Sequence, residues 1–250
     1  MIYQAIEGTL VSRLGWGTAS AQPLTIAFWA QHNRVGTYSV SVRNAALTRS
    51  YVASYTQNVS NAVEFKTITI PGCTDGVWTV DTTVGIWLML MQSAGANYIA
   101  PTANAWINGD FTTAPGQVNG SASTGDACRY GGVIVVPGNE APQSSRLSLV
   151  LRPAAQELLI CNRYFQFVSA SARAAASSSF QMFDTNINFP IHMRAAPTVS
   201  INSAAPSQSN VNGTPTIAIV DGYACRYEVV SAAAGDVYSI GAIIKCDARI

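Results

Sequence analysis

Charge is scarce in this sequence. Asp, Glu, Lys and Arg make up 11% of its 250 residues, against a usual share of about 25%, so solubility has to rest on Ser, Thr, Asn, Gln and Gly. The formal charge of +1 supplies no field to steer the chain onto nucleic acid or an anionic membrane. Histidine is nearly absent. His32 and His192 stand far apart with no Cys, Asp or Glu at ligand spacing, so neither a metal nor another cofactor is expected. Five cysteines, Cys73, Cys128, Cys161, Cys225 and Cys246, include no C-x-x-C pair. That argues against a zinc ribbon and a complete disulfide framework, and leaves reduced, mostly buried thiols. The longest apolar run, Gly85 to Met91 (GIWLMLM), is strand length, so no membrane insertion is expected. The opening MIYQAIEGTLVSRL lacks the basic-then-apolar pattern of a signal peptide. There is no G-x-S-x-G elbow and no close carboxylate pair to suggest an acid/base couple, so the chain is not expected to be an enzyme.

What is present is short apolar alternation. Leu24 to Ala30 places Leu24, Ile26 and Phe28 on one face and Thr25, Ala27 and Trp29 on the other. Thr37 to Arg43 alternates in the same way. Further strands are predicted at Arg49 to Tyr55, Glu64 to Ile70, Ile86 to Gln92, Gly132 to Val136 and Arg146 to Leu151, separated by turn clusters rich in Gly, Asn, Asp and Pro. This spacing without helical pattern indicates an antiparallel sandwich or jelly roll.

Pro153 to Phe167 breaks the pattern. Pro153 suits a first helical turn, Glu157 lies near the positive end, and Leu158, Cys161 and Phe165 form a stripe, which predicts one short amphipathic helix. Val168 to Ser179 (VSASARAAASSS) then reads as a linker. Strands are predicted again at Ser179 to Phe183, Pro197 to Ile201, Thr216 to Val220, Ala224 to Val230 and Val237 to Cys246, with a polar loop from Ser203 to Pro215. The expectation is an all-β chain: a jelly-roll domain over 1–152, a helical hinge and linker over 153–178, and a small antiparallel β domain over 179–250. A β domain of that size is marginal alone.

Several segments carry a resemblance. EGTLVSRLGWGTASAQPLTIAFWAQ (Glu7 to Gln31), GTYSVSVRNAALTRSYVASYT (Gly36 to Thr56) and FKTITIPG (Phe65 to Gly72) resemble a carbohydrate-binding-module-like jelly roll of bacteriophage tail fibre and receptor-binding proteins. RPAAQELLICNRYFQ is similar to the hinge that follows such modules, and FPIHMRAAPTVSI (Phe189 to Ile201) to a strand of their C-terminal domain. The chain departs from the pattern before the hinge, where GGVIVVPGNEAP (Gly131 to Pro142) lacks the acidic residue that family members often have in the strand. The resemblance implies a virion protein, a tail fibre or spike assembled in the host cytoplasm, which attaches to host-surface glycan, contacts other virion proteins and forms a homotrimer. A purely structural virion protein, or a secreted accessory module of a polysaccharide-degrading enzyme, are the other readings.

Sugar recognition needs flat aromatic faces with amides, Arg and carboxylates around them, on loops held by a rigid sandwich. The candidates are Trp106 and Tyr98, which flank a polar loop with Asn97, Asn104 and Asn108, together with Arg49 and Tyr51 on a strand edge. Trp29, Trp78 and Trp87 are assigned to the core. The cluster Arg163, Tyr164, Phe165 is assigned to packing between domains or subunits.

Overall fold

The computed structural model describes residues 1–150, 152–202 and 206–249. They form two compact units, one of residues 1–150 and one of the described residues from 152 to 249. The chain is all-β, with two α-helices among the described residues.

In the first unit, β1 (Ile2–Glu7), β3 (Gly36–Asn44), β4 (Arg49–Gln57), β6 (Val84–Met91) and β7 (Trp106–Asn108) build a five-stranded antiparallel sheet in the order β1-β6-β3-β4-β7. Three strands, β2 (Leu24–His32), β5 (Glu64–Ile70) and β8 (Cys128–Pro137), form a second sheet in the order β5-β2-β8. The chain crosses between the sheets at β1/β2, β2/β3, β4/β5, β5/β6 and β7/β8, as a jelly-roll sandwich does. Alternation fixes the core. Leu24, Ile26, Phe28 and Ala30 of one sheet meet Tyr38, Val40, Val42, Ala53 and Leu88 of the other. The two α-helices begin with α1 (Gly8–Val11), a single turn packed beside β6. Gly85 lets that turn approach, since a Cβ there would lie 2.6 Å from the Gly8 Cα.

Two tryptophans expected in the core lie on outward sheet faces instead. Trp29 packs on Phe65 of the neighbouring strand (ring centroids 5.1 Å apart), and Trp87 on Tyr3 (5.7 Å). Parity is the cause: Phe28 and Leu88 take the inward positions, and each adjacent indole packs against a cross-strand ring on the outer face. Trp78 does pack against the core. The strand expected at Arg146 to Leu151 is a 3-10 helix over Ser144–Val150; Leu151 itself lies outside the described residues.

The second unit opens with α2 (Ala154–Asn162). Its strands are β9 (Phe165–Ala176), β10 (Met182–Asn188), β11 (Thr198–Ile201), β12 (Ser207–Ser209), β13 (Thr216–Ile219), β14 (Ala224–Val230) and β15 (Gly235–Asp247). One sheet runs β10-β14-β13; in the other β15 pairs with β11 and β12 on one side and with β9 along nearly its whole length on the other. The segment expected to be a linker is thus the strand β9. Its small residues are what the position demands: Val168, Ala170, Ala172 and Ala176 point into a core with Met193, Tyr227, Val229 and Ile244, while Ser169, Ser171 and Arg173 point outward. Burial and pairing override the poor strand propensity of Ala. Phe165 starts this strand rather than closing a helical stripe, and all nine residues of α2 lack a buried side, so the helix is not amphipathic in place. The loop expected from Ser203 to Pro215 contains the three-residue β12, and residues 203–205 lie outside the described set.

Candidate functional site

The sandwich end where β4 begins and β5 ends gathers three loops around four aromatic rings. Trp16 follows a 3-10 turn (Ser12–Leu14), Trp78 belongs to the segment after β5, and Trp106 opens β7 opposite Tyr51. The rings pack edge to face: Trp16 on Trp78 at 4.7 Å, Trp16 on Trp106 at 5.2 Å, Trp78 on Trp106 at 5.4 Å and Tyr51 on Trp106 at 5.2 Å. This is the favourable quadrupolar arrangement, worth about 0.5–1.5 kcal/mol per pair beyond area burial. Each indole N–H donates to a backbone carbonyl: Trp16 to Gln22 O at 2.7 Å, Trp78 to Asp75 O at 2.9 Å and Trp106 to Pro71 O at 2.9 Å. Gly17 (φ +87°) and Gly76 (φ +79°) let two of the loops touch, because a Cβ on Gly17 would sit 2.9 Å from Gly76 O.

A polar fork borders these rings. Arg49 Nη1 donates to Asn108 Oδ1 at 2.8 Å, and Arg49 Nη2 lies 2.6 Å from Asp75 Oδ1. The Arg49 side chain is largely covered, whereas that of Asp75 is 59% exposed and Asn108 is open to solvent. Buried Asn44 locks the approach. Its Oδ1 accepts from Thr48 and Arg49 N–H, and its Nδ2 donates to Val77 O at 3.1 Å, tying the β3–β4 turn to the loop that carries Asp75 and Trp78. The result is a fixed carboxylate and a fixed amide carbonyl, both acceptors, beside partly exposed indole edges. Such a set can take paired hydroxyl donors while an apolar ring face lies on the aromatic block.

Arg49, Tyr51 and Trp106 are therefore brought together, with Tyr51 buried beneath Trp106 rather than offered on an edge. Tyr98 is not part of this group. It lies in the segment that covers the opposite, outward face of the five-stranded sheet over Val52, where its carbonyl accepts from Thr112 and Thr113 N–H. Trp16 and Asp75 were missed in the sequence because they come from separate loops with no shared spacing. Asn44 was likewise indistinguishable from any turn residue.

At the other end of the sandwich the fold makes a contact that sequence spacing does not show. His32 Nδ1 lies 2.9 Å from Cys128 Sγ and Nε2 lies 2.9 Å from Tyr55 OH, with Tyr38 stacked at 3.7 Å and Tyr130 OH 3.1 Å from Tyr55 OH. Burial, then the nearby Lys66 charge, lower the imidazole to about 4, and burial raises the Cys128 thiol. Both groups are neutral near pH 7, so this is a packed hydrogen-bonded pair rather than a thiolate–imidazolium couple. Among the described residues no group of three His, Cys, Asp or Glu side chains is placed to hold a metal ion.

Fold and site together define an all-β protein of two sandwich-like units, with an aromatic and polar cluster at one loop end of the first. No protein-family model matches the sequence, and no curated protein matches it. Among solved structures, the chain is similar to recombinant discoidin II of Dictyostelium discoideum over 91% of its own length and 74% of that chain, with a TM-score of 0.26 and 8% identity. Wild-type discoidin II gives 90% and 72% coverage, a TM-score of 0.25 and 8% identity. A likeness at that level supports no transfer of function.

Proposed function

We propose that this chain is an attachment protein that binds host-surface glycan by the Trp16/Trp78/Trp106 end of its first unit, working by binding rather than by reaction. The observation that carries the reading is the Arg49 fork: it holds Asp75 and Asn108 as exposed acceptors beside two partly exposed indoles. The Asp75 charge is matched by Arg49, so the ligand is a neutral sugar presenting adjacent hydroxyls. The setting is a virion tail fibre or spike, assembled in the host cytoplasm and joined to other virion proteins; the sequence resemblance of the jelly-roll, hinge and C-terminal segments supports it. A homotrimer would turn weak single sites into strong attachment through multivalency.

Titration calorimetry of the full chain with neutral oligosaccharides tests the site. Asn108→Ala removes one exposed acceptor and is expected to weaken binding roughly 3- to 10-fold with little change in melting temperature. Unchanged affinity in Asn108→Ala and in Asp75→Asn would place the sugar elsewhere.

A further inference from the structure

The second unit leaves an apolar surface uncovered. In α2, Leu158, Leu159 and Ile160 follow one another, and with Phe167 of β9 and Ile240 of β15 they are between 38% and 61% exposed. A nine-residue helix is too short to persist in water on its own propensity, and this one buries no residue. Phe167 and Ile240 share the outward face of the β9/β15 pair. That pair also ends in an open edge: β9 is twelve residues long, carries one charge, Arg173, contains no Pro, and hydrogen-bonds only β15 through its backbone among the described residues. Edges this long are otherwise shielded in natural proteins by charge, Pro or a covering element.

We infer that α2, the outward β9/β15 face and the β9 edge are where copies of this chain associate; the inference rests on the oligomeric reading above and names its contact surface. Charge points to a second copy rather than a foreign partner. The ions around the surface are nearly balanced within the chain: Arg152 pairs with Glu157, Arg173 with Asp236, and Lys245 and Arg249 share Asp247, which leaves one positive charge in excess. A surface so close to neutral meets its own copy with little repulsion and offers little charge to select a charged partner. Area agrees: the five apolar residues expose roughly 450 Å², just over half of the about 800 Å² that each partner contributes to a standard interface, and the flanking Ser and Thr residues supply a polar rim.

Cys161, exposed on α2, is a native reporter. Light scattering of the full chain at micromolar concentration is expected to give three chain masses, and a short bismaleimide to join chains through Cys161, with the joined species absent in Cys161→Ser. Leu158→Glu and Phe167→Glu alter exposed positions and should leave circular dichroism unchanged while dissociating the protein to monomers. An assembly that survives both substitutions overturns this surface and leaves the oligomeric reading standing. A wild-type monomer overturns both, while glycan affinity per chain, measured separately, remains the test of the binding site.

Discussion

Lowering the pH should destabilise the first unit through His32. The imidazole is fully buried between Tyr38, Tyr55, Tyr130 and Cys128, and burial holds its pKa at about 4 against 6.5 when exposed. Because the folded value is depressed, the neutral form is the one the fold accepts. Its contribution is complete above about pH 6.5, and it is lost as the pH falls towards 4, where the unfolded chain takes the proton and the folded chain resists it. A shift of 2.5 units corresponds to about 3 kcal/mol over that window. Of the nearby charges, Lys66 reinforces the shift and Glu64 opposes it. The assay is urea unfolding followed by tryptophan fluorescence, which reports the first unit alone because all five tryptophans, at 16, 29, 78, 87 and 106, lie in it. His32→Gln keeps a donor and an acceptor but cannot be protonated. The stability difference between wild type and His32→Gln should shrink by about 3 kcal/mol between pH 7 and pH 4. Parallel curves across that range would show that His32 is not the acid-labile group.

Trp29→Ala should cost only roughly 1–2 kcal/mol, since its ring covers one outward face, whereas Trp16→Ala should cost about 3–5 kcal/mol by emptying the aromatic block; equal losses in thermal melts would contradict the assigned faces. In the dissociated Leu158→Glu variant an alkylating agent should modify Cys161 fast and spare Cys73, Cys225 and Cys246, and all five should be modified after denaturation without reductant. A protected pair would refute this. Cys225 and Cys246, whose thiols hydrogen-bond in the core, are the two to inspect.

Alternation made most strands readable. Glu64 to Ile70 and Ala224 to Val230 coincide with β5 and β14, because each has a half-buried face and clear turn residues at its ends. Alternation names two faces but not which one is inward, and that is where Trp29 and Trp87 were misplaced. Val168 to Ala176 failed for a different reason: small residues look unstructured until a thirteen-residue partner, β15, supplies the pairing. Of the candidate cluster, Arg49 and Tyr51 could be named because one predicted strand carries both, and Trp106 because it borders an Asn-containing loop; the pairing of β4 with β7 is what brings them together. Trp16 and Asp75 arrive from loops more than 50 residues apart, and only the closed sandwich brings them together.

Binding of the fluorescently tagged full chain to an array of neutral and acidic surface glycans tests the central claim most directly. The account predicts retention on a subset of neutral glycans, with that signal reduced in Asn108→Ala and in Trp78→Ala while both variants stay folded. Wild-type protein that is folded and assembled yet retained on no glycan would contradict it, and would leave a purely structural role for the chain.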